Sequence, residues 1–174
     1  MVERTLVIIK PDGVARGLTG QILSRYESAG LTPVRIEMMQ ASQALISKHF
    51  PDEERYLLSL AEKGRAAGEN LDTKEKKLAY GMRITKGLRE FMTSGPVVAF
   101  ILEGEDAVKR VRAITGYTDP AKAGKGTVRG DFATDSIETA NKEGRPVRNL
   151  VHASGTIEEA KAEINLWFRE MSGG

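Results

Sequence analysis

The sequence predicts one domain in which β-strands and α-helices alternate. Short β-branched and aliphatic runs, the surest being Val97 to Leu102, are separated by stretches whose apolar residues recur at helical spacing. The 174 residues, 40% hydrophobic and 29% charged, fall in the range of a single domain with a buried core.

Thr5 to Ile9 reads as a strand, which Lys10-Pro-Asp-Gly13 ends in a loop. Thr19 to Ala29 places Ile22, Leu23 and Tyr26 on a helical face, Gly30 stops it, and Pro33 to Met39 reads as a second strand. Ser42 to Phe50 is helical in spacing. Pro51 to Arg83 is charged and alanine-rich, and reads as surface helices or an insertion. Leu88 to Met92 closes another helix that Thr93-Ser-Gly-Pro96 breaks, and the unbroken apolar run that follows marks a buried strand. Asp106 to Ile114 is helical, whereas Gly116 to Gly130, dense in glycine, hydroxyl and basic residues, reads as a functional loop. Thr134 to Arg148 reads as a second surface insertion, and Leu150 with Val151 as a short last strand. Thr156-Ile-Glu-Glu159 matches a capping box, and Ile157, Ala160, Ile164, Trp167, Phe168 and Met171 form one apolar helical face behind it. This order fits a two-layer sandwich and a doubly wound sheet equally well.

Composition removes several function classes. With no cysteine there is no disulfide framework, thiolate metal site or thiol nucleophile. The longest apolar run is too short to span a bilayer and the first residues lack a signal-peptide layout, so a cytoplasmic protein without membrane association is expected. The net charge of +2 comes from 26 basic and 24 acidic residues that are well interspersed, which argues against nucleic acid as a partner. The two histidines, His49 and His152, do not suffice for a multi-histidine metal centre.

His152 sits in Asn149-Leu-Val-His-Ala-Ser-Gly155, where an apolar run gives way to small residues ahead of the capped helix. A neutral imidazole there can attack phosphorus through one nitrogen while a hydrogen bond on the other fixes its tautomer, and Glu163 is placed to accept that bond. From this heptapeptide alone a catalytic histidine and a satisfied core histidine are equally supported. Gly116-Tyr-Thr-Asp-Pro120 and Gly124-Lys-Gly-Thr-Val-Arg-Gly-Asp-Phe132 add backbone amides, hydroxyls and cations suited to phosphates. Neither has the residue order of a Walker A loop or a dinucleotide fingerprint.

Four motifs occur in order: Ile9-Lys-Pro-Asp-Gly-Val14, Thr93-Ser-Gly-Pro-Val-Val-Ala99, Gly126-Thr-Val-Arg-Gly-Asp-Phe132 and Asn149-Leu-Val-His-Ala-Ser154. Together they resemble the nucleoside diphosphate kinases, and the segments near 51–83 and 134–148 resemble insertions of the longer archaeal members. The resemblance implies a ferredoxin-like α/β (α+β) sandwich spanning 1–174: a four-stranded antiparallel sheet with helices packed on one face. It implies a ping-pong transfer of the terminal phosphoryl group from a nucleoside triphosphate (ATP, GTP and others) to a nucleoside diphosphate, with His152 as nucleophile and carrier. Glu163 would orient His152, and Ser154 would lie near the histidine or the transferred phosphate. Lys10, Arg112 and Arg129 would offset phosphate charge, Thr118 would bond a phosphate oxygen, and Asn149 would contact the ribose side. Mg²⁺ would arrive on the nucleotide rather than in a protein cage, and the chain would form a homo-oligomer, hexamer or tetramer.

Three positions depart from the family. Phe50 stands where a tyrosine hydroxyl helps to order the histidine, with Tyr56 the nearest candidate substitute. Ile84 falls where an aromatic ring stacks on the base, so that base contact would be apolar. Ala153-Ser154-Gly155 replaces Gly-Ser-Asp and removes an acid near the site. Two rival readings follow: a nucleotide-binding module without catalysis, and a nucleic-acid binder using Lys122, Lys125, Arg129 and Arg148. Intact His152, Lys10 and Arg112 oppose the first, and the balanced charge opposes the second.

Overall fold

The computed structural model describes Val2 to Glu170, with side chains through Phe168. At its centre β1 (Val2–Ile9), β2 (Thr32–Met39), β3 (Val97–Glu105) and β4 (Val151–Ala153) form one sheet in the order β2-β3-β1-β4. Every neighbouring pair is antiparallel. That excludes the doubly wound alternative, whose strands run parallel through helical crossovers, and agrees with the ferredoxin-like sandwich.

Helices cover both faces of the sheet rather than the one expected. On one side α2 (Thr19–Ser28) and α6 (Ala107–Thr115) set Ile22, Tyr26 and Val111 against Val7, Ile9, Phe100 and Leu102. On the other, α3 (Gln43–His49), α5 (Lys74–Met92) and α9 (Ile157–Glu170) set Ile46, Met92 and Trp167 against Leu6, Ile8 and Ala99. Double coverage is why Val97 to Leu102 is unbrokenly apolar, since neither face of that strand meets water.

The segment expected to be a loop after β1 is instead a short helix, α1 (Pro11–Ala15). Pro11 occupies its first position, where the missing N–H would be unpartnered anyway and the fixed φ already suits a helix. Ser42 caps α3 by accepting from Leu45 N at 3.1 Å. Thr156 caps α9 by accepting from Glu159 N at 3.1 Å, while the Glu159 carboxylate reaches back to Gly155 N at 2.8 Å. Met171, expected on the apolar face of this last helix, lies outside the described residues.

The charged stretch after Pro51 folds as a helical hairpin of α4 (Glu54–Ala66) and α5. Leu57, Leu60, Ala61 and Gly64 are the buried residues of α4. The helices approach so closely that a Cβ on Gly64 would fall 2.6 Å from the Tyr80 ring. Two side chains tie this hairpin to the remaining connections. Tyr80 donates to Asn141 Oδ1 at 3.2 Å in α8 (Ile137–Lys142), and Lys122 donates to the Ala66 carbonyl at 3.1 Å from the turn before α7 (Val128–Phe132). Arg145 grips Asp135 through two hydrogen bonds of 2.6 and 3.1 Å, fixing the 134–148 segment as the opposite wall. Among the described residues no helix is long and apolar enough to cross a membrane.

Candidate active site

Between these walls, at the end of the sheet where β1 and β4 meet, lies a cavity of about 1150 Å³. That is roomy for a small-molecule site, which more often occupies roughly 300–1,000 Å³. Every nucleotide-binding and catalytic residue expected from the sequence except Ser154 lines it.

His152 pairs opposite Ile8 inside β4, so the sheet fixes its backbone rather than a loop. Its Nε2 lies 3.0 Å from both carboxylate oxygens of Glu163, one helical face away on α9. A carboxylate only accepts, so Nε2 carries a proton in either charge state of the ring, and in the neutral ring Nδ1 keeps a lone pair. Ser154, fully buried, donates to Glu163 Oε2 at 2.6 Å. It therefore supports the carboxylate rather than facing the cavity. Burial pushes the Glu163 carboxyl up, but the charge of His152, its hydrogen bond, His49 and Ser154 outweigh this and hold it at about 2. Glu163 is thus an anion at any working pH.

The sequence marks the second histidine, His49, only by its place beside Phe50. In the structure the His49 ring stands edge-on to His152 at 4.5 Å between centroids, and Trp167 Nε1 donates to its Nδ1 at 3.2 Å. Burial first, then the neighbouring His152, lowers its pKa to about 3, so His49 stays neutral and walls the imidazole without competing as a cation. Phe50 packs on the other side of His49 at 4.5 Å, and Tyr56 lies 6.4 Å from Phe50 at the cavity edge. Burial, then the Glu163 charge, raises the Tyr56 hydroxyl above its usual range, with Arg89 opposing.

Two of the cations, Lys10 and Arg129, are held by long-range bonds invisible to sequence spacing. Lys10 donates to Asn149 Oδ1 at 2.8 Å, and Asn149 Nδ2 donates to the Thr118 carbonyl at 2.8 Å. The expected ribose contact thus also positions a lysine. Arg129 spends three donors on backbone carbonyls, those of Asn149 (3.2 Å), Gly116 (2.9 Å) and Val151 (2.6 Å). It locks the Gly116 loop to β4 and still has donors for a ligand. Burial lowers its pKa to about 10, so it remains charged at neutrality. Lys10 is brought to about 7 by burial and by Arg129, with Asp12 opposing. Arg112 is exposed at the mouth. Ile84 is half-buried against Ala61, Leu71 and Tyr80 and presents an apolar surface. At Gly155 a Cβ would fall 2.5 Å from the Glu159 carboxylate and 3.5 Å from Arg112 Nη1. A carboxylate from α9 thus occupies the space a side chain at 155 would take.

A cavity ringed by Lys10, Arg112 and Arg129, with one imidazole held in a single tautomer, suits the handling of a phosphate chain. Comparison with known proteins agrees. The family model for nucleoside diphosphate kinase matches residues 3–57 and 74–172. The nucleoside diphosphate kinase of Pyrobaculum aerophilum is 46% identical over 97% of this chain and 96% of its own, and that of Thermus thermophilus 40% over 97% and 96%. A crystal structure of the Pyrobaculum aerophilum NDP kinase superposes with a TM-score of 0.90 at 43% identity, covering 98% of each chain. A transition-state mimic of the Borrelia burgdorferi nucleoside-diphosphate kinase, with bound vanadate and ADP, does so with 0.78 at 32% identity, covering 96% of this chain and 87% of that one. The chain belongs to the nucleoside diphosphate kinase family, enzymes that pass the terminal phosphoryl group of a nucleoside triphosphate to a nucleoside diphosphate.

Proposed function

We propose that His152 carries the phosphoryl group between the two nucleotides. The observation behind this is the pairing of its Nε2 with Glu163, which leaves Nδ1 as the nucleophile in a cavity ringed by cations. In the first half-reaction the Nδ1 lone pair forms a bond to the terminal phosphorus as the bond to the bridging oxygen breaks, and the nucleoside diphosphate leaves. A terminal oxygen of the second diphosphate then displaces the imidazole. Nε2 keeps its proton throughout, and Glu163 offsets the charge that the ring gains. Phosphoryl transfer through a loose transition state asks mainly for positioning and cationic stabilisation, which Lys10, Arg112 and Arg129 supply. Thr118 bonds a phosphate oxygen and Ile84 offers the base an apolar surface. The vanadate and ADP bound by the Borrelia burgdorferi relative are in keeping with this reading.

Among the described residues no cluster of potential ligands suits Mg²⁺. The one such cluster among them is His49, His152 and Glu163, rich in nitrogen and already hydrogen-bonded, whereas Mg²⁺ selects oxygen. The ion belongs on the nucleotide phosphates. A cytoplasmic homo-oligomer, hexamer or tetramer, completes the reading. Its support is the row Val34, Ile36 and Met38, which stays exposed on edge strand β2.

The test is incubation with γ-labelled ATP and Mg²⁺. An acid-labile, base-stable phosphate should form on the peptide carrying His152 and pass to GDP; wild-type protein that takes up no label would sink the assignment.

Lys10 gives a second expectation. With its pKa near 7 in the free site, it is mostly neutral at pH 8. A bound polyphosphate restores the ordinary preference for the charged form, so binding ADP at that pH takes up most of one proton. Calorimetry in buffers of different ionisation enthalpy reads this directly. Lys10→Met should abolish the uptake, and uptake that persists would assign it elsewhere.

A further inference from the structure

Lys63 lies in the stretch 58–73 that the family match skips, yet α4 delivers it into the active-site cavity. The helix is read easily from its two stripes. Leu57, Leu60, Ala61 and Gly64 are buried, while Tyr56, Ser59 and Lys63, three or four residues apart on one face, line the cavity beside Leu60 and Gly64 at the edge of the buried stripe. The close approach of Gly64 to Tyr80 and the bond from Lys122 to the Ala66 carbonyl fix the last turn of α4 at that position. The other charged residues of this turn are spoken for: Glu62 pairs with Arg65 at 3.1 Å and with Lys77 at 3.3 Å. Among the described residues Lys63 has no hydrogen-bond or ion-pair partner.

We propose that Lys63 is a fourth phosphate-binding cation of this enzyme, which grips the phosphate chain of the bound nucleotide from the side opposite β4. The proposal rests on the phosphotransfer reading above. The charge pattern supports it. Lys63 is open to water at the cavity mouth but recessed between its walls. Burial, then Arg112 and Arg129, lowers its pKa, with only Glu159 opposing, and Lys63 in turn contributes to the lowering at Lys10. Four cations from four separate parts of the chain, Lys10, Lys63, Arg112 and Arg129, thus repel one another across an open space. An anionic ligand is what relieves such an arrangement, and phosphate oxygens accept charge-assisted bonds from all four.

The experiment compares Lys63→Met and Lys63→Arg with the wild-type enzyme. Lys63→Met keeps the aliphatic stem and removes the charge, so ADP should bind about tenfold more weakly by calorimetry, with KM for nucleotides rising in step and kcat within about threefold. Lys63→Arg should stay within about twofold of wild type in both. Without ligand, Lys63→Met should melt no lower than wild type, because removing one of four like charges relieves repulsion. A purely structural lysine would instead lower the melting temperature and leave KM unmoved. Wild-type affinity for ADP in Lys63→Met, or equal loss in Lys63→Arg, would overturn the assignment while leaving the phosphohistidine reading intact. A wild-type enzyme that forms no phosphohistidine would remove both.

Discussion

Replacing His152 by alanine should lower kcat/KM by at least about 10⁴-fold, the scale on which loss of a covalent nucleophile is felt, while ADP still binds within about threefold of wild type. The two halves of this expectation follow from different groups. In the proposed reading nucleotide affinity resides in Lys10, Lys63, Arg112 and Arg129, none of which bonds His152. Chemistry in that reading resides in Nδ1, and no neighbour can stand in for it. His49 is the nearest other imidazole, but its side chain is only 1% exposed and its Nδ1 accepts from Trp167, so it cannot reach a phosphorus atom. Folding should survive. The His152 side chain is 22% exposed, and water can fill the space it vacates beside Glu163. A coupled assay, ADP titration and a melting curve separate these effects. Activity within about a hundredfold of wild type would show that the phosphoryl group travels without this residue. Loss of ADP binding would show that His152 holds the nucleotide rather than reacting with it.

How much of this arrangement can be read from the chain depends on how far each interaction reaches. Strands β1 and β3 are legible because burial on both faces leaves a local mark of β-branched and aliphatic residues, β2 because Val34, Ile36 and Met38 alternate with charged residues although none of the strand is buried, and α9 because its cap and apolar stripe lie within one helix. The α1 turn is not, since Pro11 ends a strand and begins a helix by the same fixed φ, and only the partners of the helix decide. The α4 hairpin reads as a surface insertion because much of its contact with α5 is made by Ala61, Gly64 and Gly81, small residues that permit a close approach, of Leu57 to Gly81 and of Gly64 to Tyr80, but carry little hydrophobic signal. The candidate site divides in the same way. Lys10, Arg129 and His152 are found through motifs, each a short string. What holds them is not short: Lys10 to Asn149 spans 139 positions and His49 to Trp167 spans 118. No spacing rule connects such pairs, so the neutral His49 wall, the carbonyl clamp on Arg129 and the entry of Lys63 emerge only from the fold.

Glu163→Gln should lower kcat/KM by about 10² to 10³-fold with nucleotide affinity nearly unchanged, somewhat less than the roughly 10⁴-fold that a wrong tautomer costs where an imidazole must present one particular nitrogen. The substitution keeps shape and removes charge. Ser154 donates to Oε2 at 2.6 Å, which holds the single amide oxygen of glutamine on that side. The NH₂ group then takes the Oε1 position, 3.0 Å from His152 Nε2. An NH₂ group donates, so it favours the tautomer in which Nε2 accepts and Nδ1 carries the proton, which blocks attack on phosphorus, while the amide oxygen, also 3.0 Å from Nε2, keeps part of the population in the reactive tautomer. Ser154→Ala in the Glu163→Gln background frees the amide to turn and should recover part of the rate, a response that a simple packing defect would not give. Acid stability gives an independent reading. The Glu163 pKa falls from the usual 4.5 unfolded to about 2 folded. Its ionised form therefore stabilises the fold fully above pH 4.5, and that contribution is lost as pH drops from 4.5 toward 2. Wild type should thus lose melting temperature more steeply across that window than Glu163→Gln. Parallel curves, or a variant with wild-type turnover, would mean that Glu163 neither fixes the tautomer of His152 nor draws its charge from it.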